Sequence, residues 1–244
     1  MINRLFGLLR RRSNARKLGF TFARAAAFEL PATVSLLNES KELVLPSENG
    51  VKVAFVELLL DDCYQLSKIP ENISTIIDIG ANVGLFGIAA RSRFPLAKIH
   101  AYEPNLSLEP YLKQQASSAQ VRYFMEAVGH SDGFVALDKN SDSVLTRSKP
   151  DSSGGVPQIS FRRAIERLGG KVDLVKLDCE GAEWEIFEDK ESWSSVSWLT
   201  MEYHLWPNHS HEEVADVVQT LGFTVLMQRP AVSDGMILAC QKSD

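Results

Sequence analysis

The stretch Ser74-Thr-Ile-Ile-Asp-Ile-Gly-Ala-Asn-Val-Gly84 decides the fold of this 244-residue chain. Its isoleucines form a short apolar run around Asp78, which is typical of a strand buried on both faces of a parallel sheet. Gly80 then permits a tight turn, and Leu85 and Ile88 follow at helical spacing. A strand, a glycine turn and a helix form the unit that holds nucleotides, because free N–H groups at the helix start attract polar ligand groups.

The next predicted strand, Lys98-Ile-His-Ala-Tyr102, leads directly to Glu103, Pro104 and Asn105. The separation between Asp78 and Glu103 is close to the offset of about 20 residues at which an acid meets a ribose. Both hydroxyls of a vicinal diol can donate to one carboxylate. The sequence therefore predicts that Glu103 binds a ribose.

Length and composition favour one α/β domain with an N-terminal extension. The apolar fraction of 45% is ordinary for a globular chain. The three cysteines, Cys63, Cys179 and Cys240, are far apart and form neither a CxxC nor a metal-ligand pattern, which favours a reducing compartment. No apolar run approaches the roughly 20 residues that a membrane-spanning helix needs. We therefore expect a cytoplasmic protein.

The net charge of −5 is unevenly distributed along the chain. Seven basic residues and no acidic one precede Glu29, which leaves 19 of the 26 basic residues against all 31 acidic ones in the remainder. Phosphate binding requires clustered lysine and arginine. The acidic body therefore argues against a nucleic-acid partner.

The basic N-terminus reads as an amphipathic helix over residues 1–19, with Ile2, Leu5, Phe6 and Leu9 on one face. One interpretation is peripheral docking on an anionic membrane or on a partner protein. The other is a helix packed against the body of the protein, or a frayed terminus.

The chain divides into three predicted parts: an extension over residues 1–30, a β/α cover segment over 31–73, and a core over 74–244. The cover segment should contain short strands at 33–37, 43–45 and 51–54, with Asn49-Gly50 as a hairpin turn, and a helix over 55–64. In the core, strands and helices alternate. Strands are predicted at 74–79, 97–102, 121–126, 134–137, 156–160, 172–177, 196–202, 223–228 and 235–240, and helices at 84–93, 105–116, 161–168, 181–189 and 211–221.

Two features of this order predict the architecture. Regular alternation indicates a mostly parallel sheet, and the last two strands have no helix between them, so they should pair antiparallel. The stretch 138–155 is rich in Ser, Asp and Gly and is predicted to be a loop.

Ligands of open parallel sheets bind beyond the carboxyl ends of the strands. Polar residues collect at five such ends, namely 78–84, 103–105, 126–128, 178–183 and 202–204. The fourth is an acid-rich turn in which Asp178, Glu180 and Glu183 surround Gly181. Lys176, in the strand before it, is expected to pair with one of the acids.

Four motifs together resemble the FkbM family of S-adenosylmethionine-dependent methyltransferases. They are Asp78-Ile-Gly-Ala-Asn-Val-Gly84, Tyr102-Glu103-Pro104-Asn105, Lys176-Leu-Asp178-Cys-Glu180-Gly181-Ala-Glu183 and Glu202-Tyr-His204. The resemblance covers about residues 43–240 and includes Tyr64. Asn82 stands where many methyltransferases have a glycine, but it is the FkbM form.

The resemblance implies a class I methyltransferase fold. This is a Rossmann-like, seven-stranded, mostly parallel sheet with one antiparallel strand near the C-terminus and helices on both faces. It implies S-adenosylmethionine as methyl donor and S-adenosylhomocysteine as product. It also implies O-methylation of a hydroxyl on a sugar, a glycan or another small natural product.

On this basis the cofactor-binding residues are predicted first. The turn residues should contact the methionine part of the cofactor, the residues after the second strand its ribose, and those after the third strand its adenine. In chain order these are Asp78, Gly80, Asn82, Gly84, Glu103, Pro104, Asn105, Glu126 and Ala127, with Asp178 as a further contact. For Glu126 and Ala127 a solvated strand end is the alternative.

His204, Asp178 and Glu180 are predicted to be catalytic, and Glu183, Glu202 and Trp206 to contact the acceptor. Methyl transfer needs a positioned nucleophile and a base, and the ordinary pKa of histidine lies near neutrality. His204 could instead only bind substrate or cap a strand end. The acids could hold Mg²⁺, but such acids more often hydrogen-bond acceptor hydroxyls, and no metal is predicted.

Two rival functions share parts of this pattern. A nicotinamide-dependent oxidoreductase would have the same turn and ribose acid, but the sequence lacks GxGxxG and carries Asp178-Cys-Glu-Gly181. A non-catalytic cofactor-binding scaffold would have no need for the acid-rich turn.

Overall fold

The computed structural model describes residues 2–24, 28–138, 147–150 and 155–242. The strands are β1 (Thr33–Leu36), β2 (Glu39–Glu42), β3 (Thr75–Ile79), β4 (Lys98–Tyr102), β5 (Arg122–Phe124), β6 (Ala127–Gly129), β7 (Gly133–Asp138), β8 (Arg147–Pro150), β9 (Val156–Ser160), β10 (Val172–Leu177), β11 (Val196–His204), β12 (Phe223–Pro230) and β13 (Asp234–Gln241). The helices are α1 (Ile2–Lys17), α2 (Asn49–Phe55), α3 (Leu85–Arg93), α4 (Glu109–Ala119), α5 (Phe161–Leu168), α6 (Glu183–Phe187), α7 (Lys190–Trp193) and α8 (His211–Thr220).

The central sheet has seven strands in the order β12-β13-β11-β10-β3-β4-β5. Neighbouring strands from β11 to β5 pair in parallel, whereas β13 pairs antiparallel with both β11 and β12. A short turn, closed by Ala231 N–H to the Asp234 carbonyl, joins β12 to β13, too short for the crossover that parallel pairing requires. The predicted class I sheet with its terminal antiparallel pair is confirmed.

Helices cover both faces of this sheet. On β3, Ile77 and Ile79 enter a core cluster with residues of α5, α6, α7 and α8, while Ile76 packs on the other side with Phe86 and Ala90 of α3. Successive strand residues point to opposite faces. Burial on both faces therefore accounts for the unbroken apolar run in the sequence.

A second sheet of four strands, β6-β9-β7-β8, was not predicted as a separate unit. The predicted strand 121–126 is too long, because β5 ends at Phe124 and Ala127 already begins β6, which pairs in parallel with β9. Glu126 therefore lies between two sheets. The strand β8 falls inside the predicted loop 138–155, of which residues 139–146 and 151–154 lie outside the described residues.

The cover segment differs from the predictions at several points: residues 43–45 form no strand, and residues 51–54, predicted as a strand, lie in α2. Asn49-Gly50 begins α2 and forms no hairpin, because Val51 and Phe55 lie one helical turn apart and are both buried. The hairpin of this segment joins β1 to β2 through Leu37 and Asn38, which both have positive φ angles, as the mirror-image turns of tight hairpins require. The helix continues from α2 as a wider turn over Val56–Leu60, so it begins and ends earlier than the predicted 55–64.

The predicted N-terminal helix is present as α1 and packs on the body of the protein. Leu18, just after the helix, is buried, and Arg10 and Arg11 both pair with Asp61. Phe6 and Leu9 face solvent. In the described residues, none of the helices combines the length and the apolar character needed to cross a bilayer.

Candidate active site

A cavity of about 380 Å³ lies at the carboxyl ends of β3, β4, β10 and β11. This volume is in the range of small-molecule sites. The strand ends supply one side of it and the cover segment, within residues 50–64, supplies the other. Its polar and charged lining side chains are Glu57, Cys63, Tyr64, Asn82, Tyr102, Glu103, Glu126, Lys176, Asp178, Cys179, Glu180 and Glu202.

The glycine turn is held against β4. The N–H groups of Gly80 and Ala81 both donate to the Tyr102 carbonyl at 3.0 Å. Gly80 has a φ of +77°, and a Cβ atom there would overlap the carbonyl oxygen of Asp178. Only glycine fits this position, which brings the β3 turn against the β10 turn. Gly84 also has a positive φ and directly precedes α3.

Glu103 is buried at the edge of the cavity. Its two oxygens accept backbone N–H groups, one from Asn82 and one from Asn105, each at 2.8 Å. Burial raises the pKa of Glu103 to about 7, although these hydrogen bonds oppose the rise. The two bonds leave further lone pairs for a ligand, so the carboxylate is held in place for a diol. Pro104 lines the cavity, and Asn105 caps the helical turn at Ser107.

Asp78 lies below the turn, away from the cavity wall. It is fully buried, and the Lys176 Nζ atom is 3.3 Å from its Oδ1 atom. The same ammonium donates to the Gly80 carbonyl at 2.6 Å and lies 3.5 Å from Asp178 Oδ2. In the structure Asp78 therefore fixes Lys176, where the sequence predicted a direct cofactor contact. The expectation that Lys176 pairs with an acid agrees with this geometry.

Asp178 lines the cavity and is held by a residue that the sequence reasoning did not place in the site. The Tyr64 hydroxyl donates to Asp178 Oδ2 at 2.7 Å, and the Tyr64 ring is buried. The Thr200 hydroxyl in turn donates to the Tyr64 carbonyl at 2.8 Å. The signal available in the sequence was the presence of Tyr64 in the family resemblance.

His204 lies between two carboxylates. Its Nε2 atom is 3.5 Å from Glu180 Oε2, and its Nδ1 atom is 3.4 Å from Glu183 Oε1. Burial lowers the pKa of His204, but the hydrogen bond to Glu183 and the charges of Glu183 and Glu180 outweigh it and raise the pKa to about 9. A protonated imidazole at neutral pH disfavours the predicted role of His204 as the base.

The three residues predicted to contact the acceptor have different positions: one lines the cavity, one is buried behind it and one lies beside it. Glu202 lines the cavity, and its carboxylate forms no hydrogen bond to a described residue. Burial and the charge of Asp178 raise the pKa of Glu202 to about 8, against the charge of His204. Glu183 is fully buried and accepts the Cys179 N–H at 2.8 Å, so it supports the turn where an acceptor contact was predicted. Trp206 is 41% exposed and lies over Gly181, beside the cavity wall.

Glu126 and Ala127 line the cavity on the side predicted for adenine. The Glu126 carboxylate is bound by the Arg167 guanidinium through both of its oxygens. The side of the cavity formed by residues 50–64, which we call the front wall, includes Glu57 and Leu58. The sequence analysis predicted a cover segment here but named none of its residues as part of the site.

The chain is similar to known methyltransferases. The family model described as the Methyltransferase FkbM domain matches residues 78–225, more than half of the chain. "Methyltransferase sdnD" of Sordaria araneosa is 27% identical over 240 residues, which covers 79% of this chain and 90% of that protein. "Methyltransferase 1" of Beauveria bassiana is 24% identical over 213 residues, covering 74% of this chain and 84% of that protein.

Among solved structures, the fibrillarin pre-rRNA processing protein of Methanococcus jannaschii matches with a TM-score of 0.50 at 10% sequence identity. The match covers 91% of this chain and 86% of that one. At this identity the likeness concerns the fold alone.

Proposed function

Because the chain belongs to the FkbM methyltransferase family, we propose that it transfers the methyl group of S-adenosylmethionine to a hydroxyl oxygen of a sugar, glycan or other small natural product. The proposal rests on one cavity that is lined by the glycine turn and Glu103 together with Asp178, Glu180 and Glu202. Family membership favours methyl transfer over the rival nicotinamide-dependent oxidoreductase.

The residues present fit S-adenosylmethionine. Gly80, Ala81 and Asn82 line the cavity, so the methionine part can lie beside their backbone, and Glu103 can accept both ribose hydroxyls. Glu126 and Ala127 would border the adenine. When bound, the cofactor supplies a methyl group on a positively charged sulfur, which the surrounding carboxylates stabilise.

The chain's own residues would position the acceptor and take its proton. Asp178, fixed by Tyr64 and Lys176, would orient the acceptor hydroxyl. The Glu202 carboxyl group stands on the same wall, and its carboxylate forms no hydrogen bond to a described residue. Its pKa of about 8 means that the ionised form, which can accept the hydroxyl proton, increases as the pH rises through 8. When bound, S-adenosylmethionine would supply its methyl group to the acceptor oxygen; the C–O bond would form as the C–S bond breaks, and the C–S electron pair would stay on sulfur. The residues contribute position and proton transfer, which is what an in-line displacement requires.

The charge of the cavity supports an uncharged acceptor. Among the described residues no arginine lines the cavity, and its one lysine, Lys176, is already paired with two aspartates. An anionic acceptor group about 5 Å from one of the wall carboxylates would meet a repulsion of about 3 kcal/mol at an effective dielectric constant of 20. Hydroxyl compounds avoid this penalty, whereas nucleic acids and acidic metabolites do not.

Isothermal titration with S-adenosylhomocysteine tests the cofactor, with NAD⁺ as the comparison ligand. We expect micromolar binding of S-adenosylhomocysteine alone, lost in Glu103→Ala. Methyl transfer from a labelled donor to a panel of sugars and glycosides then tests the reaction. Folded protein that binds neither ligand refutes the proposal, and cofactor binding without transfer to any hydroxyl acceptor would favour the scaffold alternative.

A further inference from the structure

Three side chains converge beside the cavity, although the sequence predicted no metal. Asp178, Glu183 and His204 each offer one ligand atom, and these atoms all lie within 4.8 Å of one another. Two of them follow β10 and the third ends β11, the neighbouring strand. We propose that they bind one divalent transition-metal ion of the kind that accepts imidazole and carboxylate ligands together, such as Mn²⁺ or Zn²⁺.

A buried oxygen without a partner points to such a ligand. The Glu183 side chain is buried, and its Oε1 atom accepts the Cys179 N–H at 2.8 Å. Its Oε2 atom is also buried, and no described residue donates a hydrogen bond to it. A desolvated carboxylate oxygen is unfavourable unless it is hydrogen-bonded or coordinates a metal.

The charge around the cluster has the matching sign. Asp178, Glu180 and Glu183 bring three carboxylates, and His204 and Lys176 are the nearby cations. Lys176 is shared with a further buried aspartate. A surplus of negative charge therefore remains, and a dication reduces it.

The surroundings of His204 suit a metal ligand. With the ion on Nδ1, the Nε2 atom faces Glu180 Oε2 at 3.5 Å, which resembles the carboxylate–histidine–metal arrangement of many sites. The Trp184 indole N–H donates to the His204 carbonyl at 3.0 Å and fixes the backbone there. Ligation displaces a proton from the imidazole, as metal binding to histidine generally requires.

The position of the ion relative to the cavity gives it a role, which rests on the proposed methyl transfer. Of the three ligands, Asp178 lines the cavity and Glu183 and His204 do not, so an ion held by all three would lie at the edge of the cavity, within reach of an acceptor. Metal sites with three protein ligands and one open position are typical of catalysis. The ion would hold and polarise the oxygen of the acceptor hydroxyl.

The site is tested by titrating the chelator-treated full chain with Mn²⁺ and with Zn²⁺. Binding of both ions is measured by calorimetry, and binding of Mn²⁺ also by electron paramagnetic resonance. We expect one ion per chain and at least a tenfold loss of affinity in Asp178→Asn and in His204→Gln. The matched controls Glu57→Gln and His209→Gln, a cavity acid and a loop histidine outside the cluster, should bind as the wild type does. Absence of binding, or equal affinity in all four variants, overturns the site.

Pulsed electron paramagnetic resonance of the wild-type protein tests histidine ligation of Mn²⁺ directly, even if a ligand variant does not fold. Coupling of Mn²⁺ to a histidine nitrogen supports the site, and absence of that coupling overturns it. S-adenosylhomocysteine binding is measured on the same samples. Cofactor binding without metal removes only the metal site, whereas metal binding without cofactor removes only the proposed methyltransferase reaction.

Discussion

Replacing Lys176 by methionine removes the cation that offsets two aspartates below the cavity. Lys176 is 2% exposed, and its Nζ atom lies 3.3 Å from Asp78 Oδ1 and 3.5 Å from Asp178 Oδ2. Neither Asp78 oxygen accepts a hydrogen bond of normal geometry from a described residue. Removing one partner of a buried ion pair typically lowers stability by about 3–5 kcal/mol, because the other charge stays buried. We expect a loss of that size in the free energy of unfolding of Lys176→Met.

Thermal and urea unfolding followed by circular dichroism measure this loss. At about 2–4 °C per kcal/mol for a chain of this size, the melting temperature should fall by roughly 6–20 °C. The loss should shrink towards acid pH, since burial raises the pKa of Asp78 and a neutral Asp78 needs no cation.

The double variant Lys176→Met/Asp78→Asn is the control for this reasoning. It removes the uncompensated charge together with its partner, so it should be more stable than Lys176→Met alone. The reasoning is refuted if the single variant stays within about 1 kcal/mol of wild type, or if the double variant regains no stability.

Three further predictions concern the cofactor half and the N-terminus. Since the pKa of Glu103 is raised to about 7, S-adenosylhomocysteine affinity should fall by up to about tenfold per pH unit below that value, and calorimetry should find this dependence flattened in Glu103→Gln. Gly80→Ala should abolish cofactor binding and lower the melting temperature, because the new Cβ overlaps the Asp178 carbonyl; wild-type affinity would contradict the turn geometry. If α1 contacts anionic membranes through Phe6 and Leu9, which are 67% and 50% exposed, Phe6→Ser/Leu9→Ser should reduce co-sedimentation with anionic liposomes. Equal pelleting of both proteins would count against that contact.

The sequence was most informative where local patterns and the topology coincide. The strand, the glycine turn and the acid at Glu103 occupy the predicted positions because a buried parallel strand must be apolar and a tight turn before a helix requires glycine. The cover segment was less predictable. Asn49-Gly50 is a strong hairpin signal, but burial of Val51 and Phe55 on one helical face outweighs that local preference.

The sequence could not predict which of the acidic residues line the cavity and which are buried beneath it. Asp78 and Glu183 are buried beneath the site, whereas Glu103 and Glu202 face the cavity, and strand ends alone do not distinguish these two environments. Contacts between residues that are far apart in the sequence determine which environment each acid has. Tyr64 reaches across 114 positions to hold Asp178.

The same long-range contacts determine charge states. The ordinary pKa of histidine made His204 an attractive base, but its two carboxylate neighbours, Glu180 and Glu183, hold a proton on it. Spacing along the chain contains no signal for this electrostatic effect.

The front wall of the cavity comes from a single contiguous piece of chain, whereas the cofactor side is assembled from separate strand ends. The helical stretch 49–60 ends just before Asp61, which Arg10 and Arg11 tie to α1. Exchanging that stretch between relatives would alter the wall and leave the turn at Gly80 and the acid at Glu103 in place. The two sides of the cavity thus belong to separate parts of the chain, so substitutions in residues 49–60 can reshape one side without changing the strand ends on the other.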